Sequence, residues 1–245
     1  MILAIDIGNT TVTLGGVRIA PQQAYSLEFT ARIDINHTWS VSQYESAIEQ
    51  LFEDKNLSPS DFRGVIISSV VPSVLTLLQE CVRNLFGTEP LLVTSESDLG
   101  MTFSIPEPEK VGRDRLVDAA WAAAHYPLPV ITVDLGTATT FNVVDENRVF
   151  RGGVICPGLS TGLRALGERC AQLPQVHLGS PKKAIGTNTE SCMLSGSVLG
   201  TAVLIDGMVQ RIEEELGRPA TLVVTGGLAK YVTCLLYTSP SPRDS

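Results

Sequence analysis

The sequence predicts an α/β protein of two related lobes with a nucleotide cleft between them, and three observations predict it. An apolar run ends in Asp6-Ile7-Gly8-Asn9-Thr10, and another ends in Asp134-Leu135-Gly136-Thr137-Ala138; each is followed by a further strand-like run. The two segments lie 134 − 6 = 128 residues apart in a chain of 245, about half its length. A late run, Thr221 to Thr225, leads directly into Gly226-Gly227. Duplication at this spacing, with no shorter period, indicates a repeated α/β unit and excludes a solenoid.

The elements follow in order. Ile2 to Asp6 is an apolar strand closed by a carboxylate and Gly8, and Val12 to Val17 and Ala24 to Thr30 read as strands joined by turns carrying Gly15, Gly16 and Pro21. Val41, Tyr44, Ile48, Leu51 and Phe52 recur on one helical face, which predicts a helix over Val41 to Phe52 capped by Ser40. Val65 to Ser69 is a buried strand. Pro72, favoured at a first helical position, opens a helix through Leu75, Leu78, Val82 and Leu85 that Gly87 stops. Leu91 to Val93 is a short strand, and the proline-rich, acidic stretch Ser95 to Lys110 is a loop. The alanine-rich run Arg113 to Ala124 has high helix propensity.

Val130 to Asp134, Thr139 to Val144 and Val149 to Ile155 then repeat the opening plan. Helices are expected over Leu159 to Leu173 and from about Glu190 to Leu216. In the second, Leu194, Val198, Ala202, Ile205, Val209, Ile212 and Leu216 form a single apolar stripe. Leu228 to Val232 begins a last helix. The lobes are placed at residues 1–112 and 113–233. Residues 234–245 contain Ser239-Pro240-Ser241-Pro242, which forbids helix, and are read as an atypical tail, either non-native or a natural disordered extension.

Bulk properties narrow the function. With 26 acidic against 18 basic side chains the net charge is −8, which argues against nucleic acid, whose binding rests on Lys and Arg neutralising phosphates. No uninterrupted run of roughly 18 apolar residues occurs, so no membrane span is expected. The N-terminus lacks the pattern of a secretory signal, so the chain is expected in the cytoplasm. Five cysteines and three scattered histidines show no zinc or CxxC spacing and read as a reduced chain with mostly buried thiols.

The chemistry concentrates in a few segments. A glycine directly after a strand lets backbone N–H groups approach an anion, and Asn9, Thr10 and Thr11 add donors. A carboxylate in such a turn repels phosphate unless a cation intervenes, so Asp6 implies Mg²⁺. Taken singly, the segment also fits an Asx turn; two copies in matched positions favour the phosphate reading, with Thr137 donating to an oxygen. Thr225-Gly226-Gly227 offers a backbone approach for a base or ribose, or an ordinary turn. The absence of GxxxxGK[ST] excludes a P-loop. Gly112-Arg113-Asp114-Arg115 stands at a helix entry, where Asp114 either caps the helix or accepts a proton from a substrate hydroxyl, and Arg115 suits a substrate carboxylate. The Gly-rich stretch Gly152 to Gly158 fits either a close-packed bend or a cleft wall. Asn188 or Thr189 caps the long helix.

Together, the two Asp-x-Gly loops and the late Thr-Gly-Gly resemble the actin-like ATPase and sugar-kinase superfamily. DIGNTT at 6–11, VGRDR at 111–115, DLGTATTF at 134–141, GGVICPG at 152–158, LPQV at 173–176, GTNTESCMLSG at 186–196 and VVTGG at 223–227 resemble type III pantothenate kinase in family order. The resemblance implies ribonuclease-H-like lobes and ATP-dependent phosphorylation of pantothenate, the first step of coenzyme A synthesis. It implies that Asp6, Ile7, Gly8, Asn9, Thr10, Thr11, Val12 and Thr13 hold ATP with Mg²⁺, with Thr137, Gly226 and Gly227 contacting the nucleotide. Asp114 becomes the proton acceptor within a substrate segment Gly112, Arg113, Asp114, Arg115; Thr189 contacts pantothenate; and Asp134 binds K⁺ or NH₄⁺. A homodimer is implied, with the long helix available for its contact.

Departures from the pattern are Ile105 where the family has Tyr, Asn142 where it more often has Asp, and the tail in place of a terminal helix. Two other readings stay open: a non-catalytic nucleotide-binding regulator acting through a protein partner, and a kinase of another small alcohol.

Overall fold

The computed structural model describes residues 1–20 and 25–237. The chain divides into two compact units: Met1–Ser97 with Glu109–Val117, and Asp98–Pro108 with the chain from Asp118 onward.

In the first unit, β1 (Ile2–Ile7), β2 (Thr11–Ile19), β3 (Tyr25–Asp34), β4 (Val65–Ser69) and β5 (Leu91–Leu92) form a sheet in the order β3-β2-β1-β4-β5. β1 to β3 pair antiparallel, while β4 runs parallel to β1 and β5 parallel to β4. Alternation along β1 sets the layers: Leu3, Ile5 and Ile7 are buried in the core with α1 (Val41–Asp54) and α2 (Pro72–Phe86), so Asp6 takes the opposite face. A cluster of Phe29, Phe52, Phe62 and Phe86 fills the end of that core through edge-on and stacked contacts. The Gln43 side chain accepts from the Ser40 N–H at 2.9 Å to start α1, and Gly87, at φ 64°, ends α2. β3 runs four residues past the expected Thr30, because its pairing with β2 continues to Thr11↔Asp34. Pro21 and Ala24 lie outside the described residues.

In the second unit, β6 (Thr102–Phe103), β7 (Val130–Leu135), β8 (Ala138–Val144), β9 (Val149–Pro157) and β10 (Thr221–Thr225) form a sheet in the order β10-β7-β8-β9-β6. β7 to β9 are antiparallel neighbours, and β10 runs parallel to β7. Helices α4 (Leu159–Arg169) and α5 (Thr189–Leu216) follow β9, with Leu159, Val198, Ala202, Ile205 and Val209 buried against the sheet. Helix α3 (Arg113–His125) begins in the first unit and continues in the second. The series β3-β2-β1-β4 and β9-β8-β7-β10 are the same plan twice, the duplication expected from the sequence.

Several expectations are corrected. The stretch Ser95 to Lys110 contains β6 and a short 3₁₀ turn, Pro108–Lys110; β6 exists because it adds to the edge of β9, with Phe103 against Phe150 at 5.8 Å. α4 stops at Arg169 instead of Leu173, since Cys170 turns extended and the chain folds back to set Pro174 and Gln175 against Gly167. The helix expected at Leu228 to Val232 is two 3₁₀ turns, Ala229–Tyr231 and Thr233–Leu235, next to the β-branched Val232 and Thr233. Finally, α5 is long and apolar enough to cross a membrane by length and composition, with a mean hydropathy of 1.6 over 18 residues. Counting uninterrupted apolar residues missed it, because Gly, Ser and Thr break the run without making it polar. One face of it, carrying Val198, Ala202, Ile205 and Val209, is buried in the core of the second unit, as in an amphipathic helix. Residues 238–245, most of the expected tail, lie outside the described residues.

Candidate active site

Asp6 stands near the end of β1, in register with Thr13 of β2 and Ser68 of β4. The following turn is closed by Gly8 N–H donating to the Thr11 carbonyl at 3.0 Å, and Asn9 and Thr10 are exposed at its tip. Thr11 and Thr13 are half-buried. Ile7 and Val12 place their side chains in the apolar core, so only their backbone faces the loop. The Asp6 side chain keeps accessible surface, yet enough of the chain crowds its carboxyl that desolvation raises its pKa; the Ser68 hydroxyl opposes the rise, and the Asp114 carboxylate adds to it.

Asp6 and Asp114 are thus brought together within the first unit. Asp114 is the second residue of α3, and its Oδ1 accepts from the Arg115 N–H at 2.8 Å. This engages an otherwise orphan donor of the first turn, so the capping reading of Asp114 is correct as far as one oxygen is concerned. Gly112 lies against the same carboxyl, where an added Cβ would strike Oδ1. Burial lowers the pKa of Arg115, and the Asp114 charge opposes that shift. Arg113 borders a cavity of about 50 Å³ lined also by Ser69, Val93 and Thr94.

The second loop is held differently. Gly136 N–H donates to the Ala138 carbonyl at 3.1 Å, a closure one residue shorter than that from Gly8 to Thr11 in the first loop. The Thr137 carbonyl then accepts twice from the start of α4, from Gly158 N–H at 3.1 Å and Thr161 Oγ1 at 2.8 Å. On the other side, the Leu228 N–H donates to the Leu135 carbonyl at 3.2 Å. Gly226 adopts φ 96° and passes so close to Asp134 that a Cβ would meet its Oδ1 and the Leu135 backbone. Asp134, Thr137 and Gly226 therefore belong to one stitched assembly, with Gly227 next to it.

Thr189 is the first residue of α5 and is exposed, and the cap is Asn188, whose Oδ1 accepts from Ser191 N–H at 2.8 Å. The capping role considered for Thr189 is thereby assigned to its neighbour. A cavity of about 410 Å³ opens here, lined among others by Lys182, Lys183, Asn188 and Glu190. Of the departures, Ile105 rests near Gly152 of β9, and Asn142 is fully buried, donating to Thr132 Oγ1 at 3.1 Å. Sequence reasoning passed over Ser68, Thr161 and the Lys182-Lys183 pair. The only signals were a polar residue inside an apolar strand and two adjacent charges ahead of a helix cap.

Among the described residues, no group of three or more His, Cys, Asp or Glu side chains forms a metal cage. The Asp6 carboxylate fits Mg²⁺ that arrives with phosphate oxygens, since Mg²⁺ is usually held by one or two carboxylates plus substrate phosphates.

Comparison with known proteins decides the family. The profile of type III pantothenate kinase matches residues 2–211. The chain belongs to the type III pantothenate kinase family. A type III pantothenate kinase of Thermomicrobium roseum is 39% identical over 236 residues, covering 96% of this chain and 89% of the relative. The one from Exiguobacterium sp. is 38% identical over 233 residues, covering 95% and 89%, and that of Koribacter versatilis 37% over 237 residues, covering 95% and 86%. Among solved structures, a Campylobacter jejuni protein assigned to the Baf family of transcriptional activators superposes with a TM-score of 0.55 at 18% identity, covering 97% of this chain and 89% of that one. A candidate N-acetylglucosamine kinase of Porphyromonas gingivalis gives 0.51 at 13% identity, covering 98% and 90%. These two likenesses concern the fold alone, and it is the actin-like, sugar-kinase fold. This pantothenate kinase family member is accordingly an enzyme of the kinase class.

Proposed function

We propose that this chain transfers the γ-phosphoryl group of ATP to the primary hydroxyl of pantothenate, forming 4′-phosphopantothenate and ADP at the entry to coenzyme A biosynthesis. The observation that carries the reading is the family match over residues 2–211 in a chain that keeps Asp114 at the start of α3 beside Asp6. Asp114 accepts the hydroxyl proton as the alcohol oxygen attacks phosphorus and the bond to the ADP oxygen breaks. Gly112 leaves room for that carboxyl, and Arg113 and Arg115 supply positive charge for the substrate. Asp6, Asn9, Thr10, Thr11 and Thr13 bind and orient the phosphates, and Thr137, Gly226 and Gly227 are likewise assigned to the nucleotide. Asp6 would hold Mg²⁺ arriving with the nucleotide, and that ion would supply charge neutralisation for the phosphates. Asp134 provides the carboxylate for a monovalent cation, K⁺ or NH₄⁺.

Thr189, exposed and freed from capping, contacts pantothenate; the adjacent cavity is in the size range of small-molecule pockets, and its lysines suit an anionic substrate. We assign a homodimer contact to the solvent face of α5. There Gly196, Gly200 and Gly207 leave open space beside Val203, which is 65% exposed, and the exposed Leu204. All five cysteines are free, in keeping with a reduced, cytoplasmic setting, although Cys170, Cys192 and Cys234 are exposed and only Cys81 is buried, against the expectation of mostly buried thiols. The test is coupled ADP release with MgATP, K⁺ and either pantothenate or sugars. Turnover with pantothenate alone is expected; folded protein without turnover above background on pantothenate and K⁺ contradicts the reading.

A further inference from the structure

In each half of the duplication the loop aspartate sits in a row of hydroxyl side chains. The register of the first sheet places Thr13 and Ser68 on either side of Asp6. In the second sheet it places Thr140 and Thr225 on either side of Asp134. Residues in register on neighbouring strands point to the same face, so each carboxylate has a hydroxyl beside it on both flanks. Of these four, Ser68 and Thr140 are buried, at 7% and 8% exposure, and the Ser68 Oγ has no hydrogen-bond partner among the described residues. Buried hydroxyls are nearly always bonded, so an orphan calls for a use. The other orphan, Thr139, shares its register position with Leu135 on the apolar core face and has no carboxylate in that row. Ser68 does: the register sets it directly beside Asp6, and its hydroxyl is without a hydrogen bond there.

We propose that Ser68 is a positioning residue for Asp6, its hydroxyl turning to donate to one carboxylate oxygen so that the other faces the nucleotide-bound metal. The inference rests on the reading of Asp6 as the aspartate that serves Mg²⁺-nucleotide. Rotation about χ1 moves the hydroxyl between staggered positions with no change of backbone, and the register holds the two residues side by side throughout.

The experiment is calorimetric titration of ADP, with Mg²⁺ or with EDTA, into the wild-type chain and the variants Ser68→Ala, Ser68→Thr, Asp6→Asn and Ser68→Ala/Asp6→Asn. Loss of a hydrogen bond to a charged group should weaken MgADP binding by about 10-fold in Ser68→Ala. ADP in EDTA should bind Ser68→Ala and wild type alike, and Ser68→Thr, which keeps the hydroxyl, should stay within about threefold of wild type. In the Asp6→Asn background, Ser68→Ala should add less than about twofold, because the residue acts through Asp6. In steady state the same variant should raise the KM for MgATP and leave kcat nearly unchanged. Wild-type MgADP affinity in Ser68→Ala, or an undiminished effect in the double variant, overturns the proposal. Wild-type affinity in Asp6→Asn overturns the underlying reading of Asp6, and failure of pantothenate turnover with MgADP binding intact strikes only the substrate assignment.

Discussion

The loop after β1 and the loop after β7 share the order carboxylate, glycine, threonine, yet their surroundings differ. In the first, Asn9 and Thr10 project into solvent, and the turn is closed by its own Gly8–Thr11 bond. In the second, the Thr137 carbonyl is claimed by Gly158 and by Thr161 of α4, and Gly226 is pressed onto Asp134, while the Leu135 carbonyl accepts from Leu228 N–H much as the Ile7 carbonyl accepts from Val70 N–H at 3.0 Å. One motif thus stands largely by itself and, in its copy, is stitched to the elements around it. The difference follows from what comes after the motif: β9 leads through Gly158 directly into a helix that returns to its own loop, whereas β3 leads into a connection that bonds the first loop only through Ile35 N–H on the Thr10 carbonyl, at 2.9 Å. On the proposed function, the bonds that hold the second loop in place lower the ordering cost of binding there.

The comparison can be broken in three ways, taken from the largest effect down. The chemistry is assigned to the first unit, so Asp114→Asn should lower kcat by about 10²–10⁴-fold while the fold is kept; a loss below about threefold in a steady-state assay would leave Asp114 with its capping bond to Arg115 alone. The stitching is assigned to the second, where Gly226→Ala forces a side chain onto φ 96° and into Asp134. That variant should lose about 2–3 kcal/mol of stability in urea unfolding. Gly8→Ala, whose Cβ would find nothing nearer than the Thr11 carbonyl at 3.5 Å, should lose less than about 1 kcal/mol. Smallest is Thr161→Ala, which removes one of the two bonds to the Thr137 carbonyl and should cost about 0.5–1.5 kcal/mol. Thr10→Ala, at the exposed tip of the first loop, should stay within about 0.5 kcal/mol. Equal costs at the paired positions would erase the distinction.

Much of this was legible in the chain because it is local. An apolar run closed by Asp-x-Gly identifies β1 and β7, and the stripe from Val198 to Val209 identifies the buried face of α5. What escaped is non-local. β6 has two residues and exists through β9. Ser68 resembles any strand-end serine until the register sets it beside Asp6. Asn188 and Thr189 are both competent caps, and only the bond from Ser191 N–H to Asn188 decides which one is free to meet a ligand. The bonds from α4 to the Thr137 carbonyl have no sequence signature, because a backbone acceptor is the same at every residue.

The central claim is that the duplicated aspartates hold different cations, Asp6 the Mg²⁺ of the nucleotide and Asp134 a monovalent ion. Its most direct test is pantothenate-dependent ADP release by Asp134→Asn and Asp6→Asn, titrated separately with K⁺ and with Mg²⁺. Asp134→Asn should raise the K⁺ concentration for half-maximal rate by about 10-fold or more and leave the Mg²⁺ requirement unchanged, with the reverse for Asp6→Asn. An unchanged K⁺ dependence in Asp134→Asn, or the same shifts from both variants, would contradict the account.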